Sequence, residues 1–340
     1  MTIGVGFLGC GPAAQAIHIP TISVFPDELH VAGFMDIDLE LAGRLAAQHG
    51  GLATTDEDAL INDPSVDVIV VGSPNAHHAR QIIKACKAGK CAVLAEKPLA
   101  VSKEEVDSVI AAARESGTRI IVGSMHAYDR GYVDALAAWR ELGEVPTDIE
   151  VTAFGSGNDR MVDSATQLVR SATPVGAPNP NLPDVLAMTA GTLSMASHDI
   201  PLVRDLLPEA PLLIAATRQR PAGYALQGVS GSCGISFIGL LPVQWHASWT
   251  LRAVSPNAVL EVDFAPSYVL ATGCTARLTV DGVTRTWHSD EAAYVSEWRA
   301  LLAEIDGAPT VRDLDRIAAD LEYALNLVGQ LGELVDGGAR

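Results

Sequence analysis

Cysteine is scarce in this chain. Its five residues, Cys10, Cys86, Cys91, Cys233 and Cys274, include no C-x-x-C pair. Such spacing offers neither a disulfide framework nor a zinc-ligand cluster, so no metal site is expected; it fits reduced, mostly buried thiols of a cytoplasmic protein. No apolar run reaches the roughly 18 to 20 residues needed to span a bilayer. The opening Met-Thr-Ile-Gly-Val-Gly has no basic region and no cleavage site, so neither a membrane partner nor a signal peptide is expected. Basic residues are outnumbered, 23 against 41 acidic ones, for a net charge of −18. A surface that acidic repels phosphate backbones and argues against a nucleic-acid partner. Internal repeats and low-complexity tracts are also missing. What the chain does have is length, 340 residues with 48% hydrophobic side chains. That is enough for two domains rather than one ordinary core.

The first third alternates short apolar runs with helical patterns. Strands are expected at Ile3 to Leu8, Val31 to Met35, Asp67 to Val71, Cys91 to Ala95 and Arg119 to Val122. Helices are expected after Gly9, over Leu39 to His49 before Gly50-Gly51, and over about His77 to Ala88 before Gly89. Another starts at Ser102, with Glu105 three residues on as a capping box, a stripe of Val106, Val109, Ile110 and Ala113, and a stop at Gly117. Apolar strands alternating with helices predict an α/β doubly wound parallel sheet, a Rossmann domain over residues 1–123. From 124 to 340 the pattern changes. Ile149 to Phe154 reads as a strand. Gly155 to Asp184 is rich in Gly, Pro, Ser and Asn, with one helical stretch near Thr166. Leu226 to Trp287 reads as successive strands, and helices close the chain near Glu291 to Ile305 and Asp313 to Leu334. This predicts an α+β domain with an open, mostly antiparallel sheet.

Two glycine patterns overlap at the N-terminus. Gly4-x-Gly6-x-x-Gly9 fits a dinucleotide fingerprint as text, but Gly4 and Gly6 fall inside the strand. Gly9-Cys10-Gly11-Pro12-Ala13-Ala14 follows the strand and opens the helix, where the mechanism needs it. Gly9 permits the tight turn, Gly11 lets the backbone approach a pyrophosphate, and Ala14 allows close helix–strand packing. Pro12 and Ala13 complete the loop. Asp36 ends the second strand, at the distance where a carboxylate binds the ribose hydroxyls and repels a 2′-phosphate. The expected cofactor is therefore NAD.

Further on stand Ser73-Pro74-Asn75-Ala76-His77-His78 and Ala95-Glu96-Lys97-Pro98-Leu99-Ala100. Together with Ile17-His18-Ile19-Pro20 and Asn62-Asp63-Pro64-Ser65-Val66-Asp67, they closely resemble the Gfo/Idh/MocA oxidoreductase family, over about residues 1 to 123. Lys97 ends a parallel strand at the carboxyl edge of the sheet, where ligands bind in such folds. Pro98 restricts the backbone at Lys97. A lysine beside a nicotinamide can hold a substrate hydroxyl and ease its deprotonation. The resemblance implies that Ser73, Pro74, Asn75, His78 and Glu96 line the cofactor, with Lys97 facing cofactor and substrate; His77 reads as a solvated helix-start residue.

The resemblance also implies a second domain whose first helix carries a proton-transferring histidine. The stretch Ala190 to Ile200 looks like that element and puts His198 in the place. The family's aspartate one turn earlier is here Ser194, and another three residues later is Pro201. Asp199 is expected to point to a different helix face. At the domain junction, His126 and Tyr128 are the polar groups available to a substrate. Trp245, His246 and Trp249 read as core or interface packing. The implied activity is an NAD-dependent dehydrogenase or reductase acting on a secondary alcohol or ketone of a sugar, polyol or cyclitol. Two alternatives stay open: transient oxidation by tightly held NAD, giving epimerase- or lyase-type chemistry, and a non-catalytic NAD-binding regulator. The resemblance further implies a homodimer or homotetramer joined through the second domain's sheet, to which the alternating run Cys233 to Trp249 would contribute.

Overall fold

The computed structural model describes residues 2–155, 162, 166–171, 182–241, 247–266, 268 and 270–337, the last three of these by backbone alone. Their contacts form two units. Unit 1 comprises Met1–Gly123, Val162–Ala177 and Glu297–Ala318; unit 2 comprises Ser124–Met161, Pro178–Ser296 and Ala319–Arg340. The chain thus returns twice to unit 1 after residue 123.

Unit 1 is built on six parallel strands: β1 (Ile3–Leu8), β2 (Leu29–Met35), β3 (Leu52–Thr54), β4 (Val68–Val71), β5 (Ala92–Ala95) and β6 (Arg119–Val122). Their order is β3-β2-β1-β4-β5-β6, that of a doubly wound dinucleotide-binding sheet, with its switch point between β1 and β4. Every residue of β4 and β5 is buried, which is why they read Val-Ile-Val-Val and Ala-Val-Leu-Ala with no polar alternation.

The helices begin with a wide π-type turn at Ala14–His18 that runs into α1 (Ile19–Ile22). Then come α2 (Leu39–His49), α3 (Glu57–Ile61), α4 (His78–Lys87) and α5 (Lys103–Ser116). Asp38 caps α2 by accepting from the N–H groups of Glu40 and Leu41. Ser102 caps α5 through the Glu105 N–H, but Glu105 reaches back to the N–H of Val101, one residue earlier than a capping box requires. Gly117, at φ 73°, closes α5 in the left-handed conformation. The elements β3 and α3 have no counterpart in the sequence reading. At three and five residues they are too short for periodicity to register, so the expected third strand is the fourth.

Unit 2 opens with α6 (Arg130–Leu142) and β7 (Asp148–Phe154). Next come α7 (Asp184–Gly191), a second π-type turn at Thr192–Ala196, and α8 (Ser197–Leu206). Strands β8 (Leu212–Arg218), β9 (Ala222–Ser230), β10 (Cys233–Leu241), β11 (Ser248–Val254), β12 (Ala258–Phe264), β13 (Thr275–Val280) and β14 (Val283–His288) complete an eight-stranded sheet. Its order is β14-β13-β12-β11-β7-β10-β9-β8. All neighbours are antiparallel except β7 and β10. One face is packed: Ile149 and Val151 of β7, Ile235 and Phe237 of β10, Leu251 of β11 and Leu260 of β12 are at most 2% exposed. The intervening residues of β10 are only partly covered, the signature of a sheet buried on one side.

The run Cys233 to Trp249 is therefore two strands, not one. Trp245 and His246 lie outside the described residues, as does most of 155–184. Near Thr166, its N–H bonds to the Val162 carbonyl at 2.8 Å. Two helices end the chain, α9 (Ala293–Ile305) and α10 (Leu314–Gly337). Among the described residues, no helix is long and apolar enough to cross a membrane.

Candidate active site

At the switch point of unit 1, Gly9 leaves β1 with φ 95° and donates its N–H to the Met35 carbonyl. A Cβ on Gly9 would lie 2.7 to 2.8 Å from the Gly72 carbonyl and the Ser73 nitrogen. Two backbones are pressed together there, and only glycine fits. A Cβ on Gly11 would meet nothing within 4 Å. The space over Gly11 is open at the mouth of the first helix, as a pyrophosphate-binding backbone requires. Gly4 and Gly6 lie within β1, so the fingerprint in use is the one starting at Gly9. Ala14 is 2% exposed, in close packing.

Asp36 follows β2. Its Oδ2 accepts from the Cys10 N–H of the glycine loop at 2.8 Å and its Oδ1 from the Asp38 N–H at 3.0 Å. A carboxylate has about four acceptor positions, so two remain. Burial and then the Asp36 charge push the Cys10 thiol far up, leaving it an inert core group. Gln15, which sequence reading passed over, grips a returning segment. Its side chain donates to the Val169 carbonyl and accepts from the Val169 N–H, at 3.0 and 2.8 Å.

Ser73 donates to Gln81 at 2.6 Å, while Pro74 and Asn75 are exposed on the loop after β4. His78 differs from expectation. It is 1% exposed, and its two ring nitrogens sit on the main-chain carbonyls of Pro98 and Ser73, at 2.8 and 2.6 Å. In this arrangement it braces the loop after β4 against the loop after β5, and neither nitrogen is turned to a ligand.

Glu96 and Lys97 follow β5 at the carboxyl edge. Burial pushes the Lys97 ammonium toward the neutral amine, and the Glu96 charge partly offsets this. Burial alone would raise the Glu96 carboxyl. The His18 hydrogen bond, with the Lys97 ammonium and backbone N–H, outweighs it and holds Glu96 below its ordinary range. The pair therefore sits as a carboxylate beside an easily deprotonated lysine.

In unit 2 the structure gathers His126, His198 and Trp249. The Trp249 ring meets His198 edge-on at 5.3 Å and His126 at 4.7 Å. His126 also stacks on Phe264 at 4.2 Å and is 2% exposed. Burial drives its pKa down to about 3, so it is neutral. His126, expected to face the substrate, has its ring packed among aromatics; Tyr128 is 6% exposed. Ser194 donates to the Gly191 carbonyl at 3.4 Å, inside the π-type turn. Pro201 is buried within α8.

Asp199 has a destination the sequence did not indicate. It is 1% exposed and accepts from the Trp249 indole at 2.5 Å. Burial raises its pKa to about 8, and the Trp249 hydrogen bond offsets part of the rise. Trp249 thus links a buried acid to the ring that abuts His198. Among the described residues, no cluster of three or more His, Cys, Asp or Glu could hold a metal ion.

A parallel sheet in this order, with a glycine turn pressed against its switch point and an acid–lysine pair on its carboxyl edge, has the architecture of a Rossmann-type nucleotide-binding unit. Residues 3–124 match the family model described as "Oxidoreductase family, NAD-binding Rossmann fold". Over these residues the chain matches the Gfo/Idh/MocA family. It is 32% identical over 227 residues to inositol 2-dehydrogenase 2 of Saccharopolyspora erythraea, covering 66% of this chain and 60% of that one. It is 29% identical over 222 residues to inositol 2-dehydrogenase 3 of the same organism, covering 65% and 58%. The matches thus span about three fifths of those relatives. The fold resembles the aldose-aldose oxidoreductase of Caulobacter crescentus solved with glycerol: TM-score 0.74, 17% identity, 98% of each chain. It also resembles the 3-ketoreductase KijD10 of Actinomadura kijaniata solved with NADP: TM-score 0.70, 17% identity, 95% of each chain.

Proposed function

We propose that this protein is an NAD-dependent oxidoreductase that transfers hydride between the nicotinamide and a secondary alcohol or ketone of a sugar, polyol or cyclitol. The observation that carries the reading is Lys97, desolvated beside Glu96 on the carboxyl edge of a sheet whose switch point has the open glycine turn. Gly9, Gly11, Pro12, Ala13 and Ala14 would hold the pyrophosphate; Asp36 would hold the ribose; Ser73, Pro74, Asn75 and Glu96 would line the remainder. When bound, NAD supplies the carbon that accepts or gives the hydride. Lys97 supports the transfer by binding the reacting oxygen and exchanging its proton, a role that burial favours by disfavouring the ammonium form. From unit 2, His198 is the candidate proton carrier, and Tyr128 and Ser194 are the candidate substrate contacts. The inositol 2-dehydrogenase relatives favour a cyclitol or a similar polyol as substrate.

The choice of NAD over NADP rests on Asp36, because a 2′-phosphate would meet that carboxylate. A second reading, transient oxidation by retained NAD, draws support from residues 166–171. They are tied to Gln15 beside the glycine loop and, through Ser171, to Asp38 beside Asp36. Assembly as a homodimer or homotetramer through the unit 2 sheet is part of the proposal; Leu212, Ile214 and Val283 on its outer strands are at least 60% exposed. Sedimentation as a monomer would count against it.

The deciding experiment is turnover of a panel of cyclitols, polyols and sugars with NAD or NADH, for wild type and Lys97→Ala. Loss of the lysine should lower kcat by about 10²- to 10⁴-fold while NADH still binds. Undiminished turnover in the variant would defeat the role of Lys97. NAD consumed in proportion to product would exclude the retained-cofactor reading.

A further inference from the structure

Trp298 is fully buried in the unit 1 part of α9, and its indole N–H donates to His18 Nδ1 at 3.2 Å. The two rings meet edge-on, with centroids 6.1 Å apart. An indole nitrogen can only donate. Nδ1 of His18 is therefore an acceptor, and the ring hydrogen is on Nε2. That nitrogen faces Glu96 Oε1 at 3.1 Å. His18, 1% exposed, accepts at one end and donates at the other, so neither of its ring nitrogens is left to choose.

The far side of the carboxylate is confined too. A Cβ on Gly123 would stand 3.3 Å from Glu96 Oε2. Glu297, next to Trp298 in the chain, is 1% exposed, and neither of its oxygens has a hydrogen-bond partner among the described residues. Burial, and then the Glu96 charge, push its carboxyl well up, which favours its protonated form beside the Glu96 carboxylate. The groups acting on Glu96 are thus His18 from the first helix, Lys97 beside it and Glu297 from α9.

We propose that Trp298 and His18 are positioning residues that fix the Glu96 carboxylate beside Lys97, so that the charge on Lys97 is set by a chain of side chains reaching back through the first helix to α9. This rests on the reading of Lys97 as the group at the substrate oxygen. The direction of its effect follows from the donors. Without the His18 N–H, Glu96 holds its proton more readily, and Lys97 loses a neighbouring negative charge. The amine then loses its proton at lower pH.

The test needs no substrate. The intact protein is acetylated competitively with acetic anhydride across a pH series, and Lys97 is followed by peptide mass spectrometry. His18→Leu and Trp298→Phe should each lower the Lys97 midpoint by about one pH unit. His18→Gln, whose carboxamide can still donate to Glu96, should keep the wild-type midpoint. A packing role alone predicts the opposite order, because leucine suits a buried slot better than glutamine. The proposal fails if His18→Leu leaves the midpoint in place, or if His18→Gln shifts it equally. Nitrogen-15 spectra of the imidazole rings, assigned by difference with His18→Gln, should show His18 as the Nε2–H tautomer; the Nδ1–H form would overturn the chain. If Trp298→Phe does not fold, the His18 pair and the spectra still decide. A failed substrate panel would count against the oxidoreductase reading without touching this result, and the converse holds too.

Discussion

Gly9 and Gly11 stand two residues apart in one turn, yet replacing each by alanine should have opposite consequences. At Gly9 the backbone is left-handed, which costs an alanine about 1 to 2 kcal/mol. The added methyl would also lie 2.7 to 2.8 Å from the Gly72 carbonyl and Ser73 nitrogen, and relieving such overlap costs about 1 to 3 kcal/mol more. The sum, about 2 to 5 kcal/mol, should lower Tm by roughly 3 to 7 °C for a chain of this size. At Gly11 nothing lies within 4 Å of the added methyl, so Tm should hold within a degree or two. There the cost falls on the ligand, because the methyl takes the space into which a pyrophosphate would settle. NADH affinity should fall by roughly tenfold or more, as contact with backbone N–H groups is lost. The assay is thermal unfolding without cofactor, paired with an NADH fluorescence titration, on both variants. Wild-type NADH affinity in Gly11→Ala would refute the placement of the pyrophosphate over this turn. Wild-type stability in Gly9→Ala would refute the argument from backbone crowding.

Two further outcomes can be read from the same preparations. Asp36→Ala should shift the NADPH-to-NADH affinity ratio toward NADPH by roughly tenfold or more, since one close like-charge repulsion is removed; an unchanged ratio in paired titrations would end the ribose assignment. Asp199 has its folded pKa raised to about 8, so the folded state keeps a proton that the unfolded chain releases near 4. Its contribution to stability is present below the unfolded value and falls as pH rises through this window, by up to about 1.4 kcal/mol per unit. Asp199→Asn, which can still accept from Trp249, should therefore gain Tm over wild type progressively between pH 5 and 8. A Tm difference independent of pH would contradict the buried neutral acid.

The parts of the fold legible in the sequence are those fixed by local chemistry. Leu39–His49 has its stop at Gly50, and α5 has Ser102, Glu105 and Gly117 at the positions that end a helix. The strands Val68–Val71 and Ala92–Ala95 announce themselves by lacking polar residues. β3 was not legible, because three residues at a sheet edge carry no period. At the site, the glycine turn and Lys97 follow directly from strand ends, whereas the environment of each histidine does not. Nothing near His126 in the chain indicates Phe264 or Trp249, and nothing near His18 indicates a tryptophan 280 positions away. The relation of Ser194 to His198 was judged on an ideal helix of 3.6 residues per turn. Ser194 lies inside the wide turn at Thr192–Ala196, just ahead of His198, and that turn changes which residues share a face.

The burial of Trp298 in unit 1 bears on how such a protein can be recombined. Residues 1–123 contain every strand of the parallel sheet, and they look like a cassette that could be cut out and joined to another partner. They do not contain the ring that completes their own interior. Severed at Gly123, the piece would expose the slot beside His18 and strand the His18 Nδ1 acceptor in an apolar surface. Exchange of the nucleotide-binding half between relatives would therefore have to carry a second, distant stretch of the gene, or supply an indole by other means.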